Sequence, residues 1–495
     1  MKTQRLTIAV VLIAATPCAW MAADDDRAAP VAPRSTAAEE IPPPVDAGRI
    51  ADAGRFRYVG SASCTAANCH GGDGSRPVRP AGDPLSPQAY SLWIESDPHA
   101  GAYALLFDEP SQKIAQRLGL PNAHTAKECL DCHAIEANKS ELTTTARHTP
   151  HDGVGCEACH GAAEAWLDPH KWDAWAALSA AQKSELGYRD LTDLVRRAET
   201  CAACHVGSAG RDVDHDLIAA GHPRMAFELS AYHANLPKHW KNEKTPPDEF
   251  DARLWLVGQA ASASSSLALL AHRAGDASAP WPEFSEYDCF ACHHDLSDPS
   301  WRQEEFTPSA ALKPGAARWG SWHFSSPLFA DASESSAGGG NLDKLRVEMQ
   351  RLAPRRDVVQ ALAQQVRREV AVFVTWAATK PLKADDRRKL MRQLTDAERI
   401  SPAVSWDAAA QRFLGCAAVN FSAQLAVDEA GGERPHEVEL VDDALRRIRA
   451  LLQFSDDGDS PQYDSPKNQS ADRRRDVRKA FEEIHKVVTP DAPSE

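Results

Sequence analysis

Four times in this chain two cysteines stand three positions apart and a histidine follows the second at once. The four are Cys129-Leu130-Asp131-Cys132-His133, Cys156-Glu157-Ala158-Cys159-His160, Cys201-Ala202-Ala203-Cys204-His205 and Cys289-Phe290-Ala291-Cys292-His293. A fifth, stretched version runs Cys64-Thr65-Ala66-Ala67-Asn68-Cys69-His70, so that ten of the 12 cysteines are used. At the overall frequencies of Cys and His a given cysteine would be followed by this arrangement about once in a thousand, so the recurrence is not accidental.

The chemistry follows from the spacing. Two such thiols can each add to a vinyl group of one haem, and the adjoining histidine is placed to bind its iron from one side. Zinc ribbons pair two Cys-x-x-Cys knuckles and need no histidine after each second cysteine. A disulfide across two residues is strained and more often redox-active than structural. Both alternatives leave the histidine unexplained. The stretched first site is a weaker signal, with a single-thiol haem or a simple disulfide as its alternatives, and its neighbours favour a haem. The expectation is five covalently attached haem c groups, held by Cys64, Cys69, Cys129, Cys132, Cys156, Cys159, Cys201, Cys204, Cys289 and Cys292, with His70, His133, His160, His205 and His293 on the irons. The repeat is one of motif at uneven intervals, not a solenoid.

The motifs occupy only part of the 495 residues. Lys2 and Arg5, an apolar run from Leu6 to about Thr16 and small residues up to Ala23 have the three parts of an export signal, assigned to residues 1–23. That places the chain in the periplasm or otherwise outside the cytoplasm, with no membrane span after signal removal. A lipid anchor on Cys18 is the minor alternative, disfavoured by Pro17 beside the thiol. Residues 24–54, rich in Ala, Pro and Asp, read as a disordered leader. A five-haem domain spans 55–300, a linker 301–340 and a helical bundle 341–492.

In the haem region short helices are expected at 88–95, 110–118, 178–185 and 191–199, with a longer one over 252–274. Its apolar residues are too scattered for an ordinary core, and the porphyrins would supply apolar mass. Beyond 340 the period changes. Leu362, Val366, Val370 and Phe373, then Val441, Leu445, Ile448 and Leu452, then Val477, Phe481, Ile484 and Val488 mark amphipathic helices, four or five in a bundle. The fold class is therefore mainly α: short helices and long loops wrapped around haems, followed by a C-terminal helical bundle.

A net charge of −15 argues against nucleic acid as a partner and suits a basic redox protein. Each iron needs a further ligand, and Met225 is the only methionine of the haem region, so His/Met ligation serves at most one haem. His99 in Asp97-Pro98-His99 and His222 in Gly221-His222-Pro223 sit where proline restricts the backbone, which suits a ligand held at one angle. His215, between Asp214 and Asp216, suits a ligand oriented by a carboxylate. His233, His239 and His272 read as ordinary helix or surface residues, Tyr232 and Tyr287 as packing residues, and Cys416 as a small buried apolar residue.

The run Tyr58-Val59-Gly60-Ser61, the first site, Trp93, Asp97-Pro98-His99, the second site and Gly153-Val154-Gly155 before the third resembles the multihaem cytochromes of the cytochrome c-554 type. Those are related to hydroxylamine oxidoreductase and octahaem tetrathionate reductases, a wider group that the segment from His215 to Pro223 also resembles. The resemblance implies that His99 caps the haem on His160, His170 the haem on His205, and His215 or His222 the haem on His70. It leaves the haem on His133 open and offers no counterpart for the fifth site. For His133 and His293, His124, His148, His151 and the remaining late histidines are candidates.

Two functions compete. The first is an electron carrier with mainly bis-His, low-potential haems, exchanging electrons with other redox proteins or a quinol-linked donor. The second is an oxidoreductase with one open haem acting on a small nitrogen or sulfur compound, of the hydroxylamine, nitrite or tetrathionate kind. No Cys-x-x-Cys-Lys, the catalytic motif of pentahaem nitrite reductases, occurs in the chain, which favours the carrier. A third possibility gives the bundle a docking role.

Overall fold

A computed structural model describes residues 55–66, 69–72, 88–135, 143–240, 245–289, 292–293, 317–320, 322–324, 340–396, 406–429, 435–453 and 471–489. The export signal, the leader, Cys18 and most of the 301–340 linker lie outside the described residues. The described residues are mainly helical, with isolated bridges such as Tyr58 with Thr144 and no named strand.

The chain divides into two compact units, one built mainly from Asp46–Met225 with His233–Lys244, the other from Ala226–Tyr232 and Thr245–Glu495. In the first unit the helices are short: α1 (Ala89–Ser96), α2 (Glu109–Arg117), α3 (Lys127–His133), α4 (Cys156–His160), α5 (Leu194–His205) and α6 (His215–Ala220). The helix expected at 178–185 starts at Ala180, where Ser179 and Gln182 form a reciprocal capping box. α5 starts later than expected, because Asp193 accepts from the backbone N–H groups of Val195 and Arg196, and it runs on through the fourth motif to His205. Apolar packing here comes in small clusters, one around Tyr103, Leu106, Ala115 and Leu130, another around Val59, Ala163 and Trp166.

The second unit has a conventional core. α7 (Pro247–Gly275) opens with proline in its first turn followed by Asp248 and Glu249, the residues that favour a helix start. By length and composition α7 would cross a membrane, yet 89% of its most apolar window is buried inside this unit. α8 (Asn341–Met349), α9 (Arg356–Thr379), α10 (Ala384–Thr395), α11 (Trp406–Glu429), α12 (His436–Leu452) and α13 (Ala471–Val488) follow. α9 and α11 pack on α7, and α12 packs on α13.

The expected stripes face inward. Val366 and Val370 are buried with Leu362 and Phe373 packed beside them, Val441, Leu445, Ile448 and Leu452 are buried, and so are Val477, Phe481 and Ile484. Val488 is half-buried. Gly415 lets α11 approach closely, since a Cβ there would lie 2.7 Å from the Trp255 ring. Cys416 is fully buried, and the Tyr287 hydroxyl donates to the Met349 carbonyl at 2.8 Å. Part of the stretch read as linker is packed, because Trp319 and Phe324 belong to this core. The fifth motif also falls in this unit, so the structural division lies nearer residue 245 than residue 300.

Candidate functional site

Three motifs occupy helices. α3 and α5 end on the histidines of the second and fourth motifs, and α4 is the third motif itself. Helical spacing puts the two cysteines of each, at i and i+3, on one face with the histidine at i+4 beside them. In the first motif Cys64 closes a 3₁₀ turn, Ser61–Cys64, and the Cys69 N–H bonds the Ala66 carbonyl at 2.8 Å. In the fifth, the N–H groups of Cys292 and His293 both turn back to the Cys289 carbonyl, at 3.2 and 2.8 Å. Among the described residues none of the ten motif cysteines is in a disulfide.

Contacts between motifs hold the first unit together. Glu157, inside the third motif and 3% exposed, accepts from the N–H groups of Val59 at 3.0 Å, Gly60 at 2.8 Å and Ala163 at 2.7 Å. Its burial pushes the carboxyl pKa up, while the three N–H bonds oppose that shift. The Arg189 guanidinium donates to the carbonyls of Ala158 and Cys159 at 2.7 and 2.9 Å, satisfying the C-terminal end of α4. Gly161 ends that helix at φ 84°, and a Cβ on it would lie 2.1 Å from the Gly187 carbonyl oxygen.

Thiols of different motifs also touch. Cys64 is hydrogen-bonded to Cys156, which drives Cys156 below and Cys64 above the usual thiol range. Cys132 is hydrogen-bonded to Cys204, which brings Cys204 down to about 6 and pushes Cys132 up. Burial pushes Cys159 to about 11 and Cys201 to about 12. Burial also holds the His160 imidazole at about 3 and the His205 imidazole at about 4, so both rings are neutral, the form that binds a metal.

Each motif histidine of the first unit has a second histidine ring near it. His70 lies 6.3 Å from His170, His133 6.5 Å from His222, His160 6.3 Å from His239 and His205 5.9 Å from His99, measured between ring centroids. This arrangement differs from the one the resemblance implies, in which His99 pairs with His160, His170 with His205 and His215 or His222 with His70. His239, read in the sequence as an ordinary residue, is the ring nearest His160 in this set. The local signal for it was Pro237, two residues before the ring, where Pro98 stands directly before His99.

Four of these eight rings are fixed at Nδ1. His99 Nδ1 bonds Asp97 at 2.9 Å, His133 Nδ1 the Ala102 carbonyl at 2.9 Å, His170 Nδ1 the Leu167 carbonyl at 2.6 Å and His222 Nδ1 the Pro223 carbonyl at 2.8 Å. His239 is hydrogen-bonded to the backbone of Pro237. Burial works against the Asp97 charge, but the His99 bonds outweigh it and hold the carboxyl below the usual carboxylate range.

The other candidates lie differently. His124 stacks on Phe107 with centroids 4.2 Å apart, and His151 meets the Tyr103 ring edge-on at 5.1 Å. His148 Nε2 is bonded to the Ile135 carbonyl at 2.9 Å, and His233 Nε2 takes a hydrogen bond from Arg197 at 3.0 Å. His215 is the first residue of α6, where Asp214 is spent on capping, since it accepts from the Leu217 N–H at 2.8 Å. His272 is exposed on α7. His293 stands with the fifth motif in the second unit.

Haem fits this donor set. Among the described residues no three His, Cys, Asp or Glu side chains converge as a protein-only metal site. Paired imidazoles with paired thiols suit a metal whose remaining ligands come from a porphyrin.

The comparisons agree with this chemistry. No curated protein matches the chain, and no solved structure does. The family model described as cytochrome c554 and c-prime matches residues 63–161, which take in the first three motifs and the loop carrying His99. Over residues 63–161 the chain is similar to c-type cytochromes of the cytochrome c554 type.

Proposed function

We propose that the chain is an exported electron carrier with five covalently attached haem c groups, mainly bis-His and of low potential. The carrying observation is the contact between thiols of separate motifs, Cys64 with Cys156 and Cys132 with Cys204. With a haem on each thiol pair, these contacts would bring the first haem beside the third and the second beside the fourth, the close spacing that electron transfer between haems needs. When bound, the haems supply one-electron redox chemistry, and the protein binds, orients and insulates them. Asp97 and the carbonyls of Ala102, Leu167 and Pro223 fix imidazole orientation. Met225 is the only methionine of the region, which supports low potentials, because methionine ligation raises them.

The partners are a redox protein or a quinol-linked donor, with the net charge of −15 favouring a basic docking face. The test is a haem count by pyridine haemochrome and intact mass, followed by potentiometric titration with visible and electron paramagnetic spectra. Five haems with predominantly low-spin signals and low potentials are expected. Fewer than four covalent haems, or mostly high-spin iron, would remove the reading.

A further inference from the structure

We propose that His222 binds the iron of the second haem on the face opposite His133, and that every iron of the first unit is held by two histidines. The pairs are His70 with His170, His133 with His222, His160 with His239 and His205 with His99. This rests on the haem reading above and assigns ligands that the c-554 pattern assigns otherwise or leaves open.

Distance carries the argument first. Two metal–nitrogen bonds of about 2 Å plus half the width of each ring separate the centroids of two trans imidazoles by roughly 6 Å. The four pairs lie at 6.3, 6.5, 6.3 and 5.9 Å. Three of the four pairs cross at 75–88°, angles at which an edge-on contact such as His170 with Trp175 also reaches 6.5 Å, so the distances permit two-histidine ligation and the ring orientations decide it. The His70 and His170 rings are parallel to within 9° yet 6.3 Å apart, too far for face-to-face contact.

Ring orientation is the independent second argument. Of the four rings supplied from outside the motifs, His99, His170 and His222 have Nδ1 committed to a carboxylate or carbonyl, and His239 is bonded to the Pro237 backbone. A hydrogen bond at one ring nitrogen sets the tautomer and aims the other nitrogen as a ligand. His148 is the opposite case, because its Nε2 is already spent on the Ile135 carbonyl. In the second haem, His133 and His222 both carry the orienting bond, to Ala102 and Pro223. The second iron is thereby closed to small molecules, and the first unit is a relay with no reaction centre.

The full-length, haem-loaded protein tests this. His222→Ala should turn one haem high-spin in electron paramagnetic and magnetic circular dichroism spectra, add one equivalent of carbon monoxide binding, and return to low spin with imidazole. His272→Ala, on the exposed face of α7, should change none of these. His222→Met keeps a ligand and should move a single haem to a higher potential. A fully loaded His222→Ala protein that stays wholly low-spin without binding carbon monoxide, or a His222→Met protein with unshifted potentials, overturns the pairing alone. A protein without covalent haem overturns the cofactor reading beneath it.

Discussion

The Glu157 carboxylate ties the loop before the first motif to the helix of the third through the N–H groups of Val59 and Gly60, and also takes the N–H of Ala163 just beyond that helix. Glu157→Ala leaves those donors buried and unpaired, at about 1–3 kcal/mol for each lost partner. The expected outcome is a lowered denaturant midpoint for the haem-loaded first unit, with Glu157→Gln much milder because its amide oxygen still accepts. Gly161→Ala should cost at least about 1 kcal/mol from backbone strain alone, since its φ is 84° and the new Cβ meets the Gly187 carbonyl. Glu228, fully buried, accepts from the Ser230 and Ala231 N–H groups at 2.9 and 2.8 Å, and burial raises its pKa to about 7. The folded state therefore keeps a proton that the unfolded chain loses near its ordinary pKa of about 4.3. Its stabilising effect is complete below that value and lost as pH rises to about 7, a change on the order of 3 kcal/mol. Glu228→Gln should flatten the pH dependence of unfolding across that window. The Cys-x-x-Cys-His pattern can be read directly because it is local, whereas Glu157 occupies a motif position that any residue can fill and its partners Gly60 and Val59 lie 97 and 98 residues away.

The inward faces of α9, α12 and α13 were legible, because burying one face demands that period. Of the short helices of the first unit, α1, α2, α5 and the one at Ala180–Glu185 were legible, whereas α3, α4 and α6 were not. α5 was read too short, since its end was placed before the motif and helix hydrogen bonding continues through it. Asp193→Ala removes the cap that starts this helix and should destabilise the first unit by about 1 kcal/mol in equilibrium unfolding. α7 responds as a core helix does. Leu267 is fully buried there, and Leu267→Ala should cost about 2–5 kcal/mol in the unfolding of the second unit. The haem spectra of the first four sites should be unchanged.

At the scale of the molecule, two kinds of folding coexist in one chain. The second unit is stabilised by continuous helix packing around α7, and the first has small apolar clusters joined by polar contacts between motifs. Haem removal by thioether-blocking Cys→Ala pairs at 129/132 and 201/204 should therefore collapse ordered structure in the first unit while leaving the helical signal of the second, a difference readable by hydrogen exchange. The sequence by itself determined the number and order of the Cys-His motifs, the mainly α class and the inward faces of α9, α12 and α13. Each of these depends on residues close together along the chain. Only the tertiary structure decided which histidine rings lie near one another, which thiols approach, and that the fifth motif folds with the bundle. Those depend on loop closures between distant residues, as His133 and His222 show, and no local pattern records where a loop brings its ends.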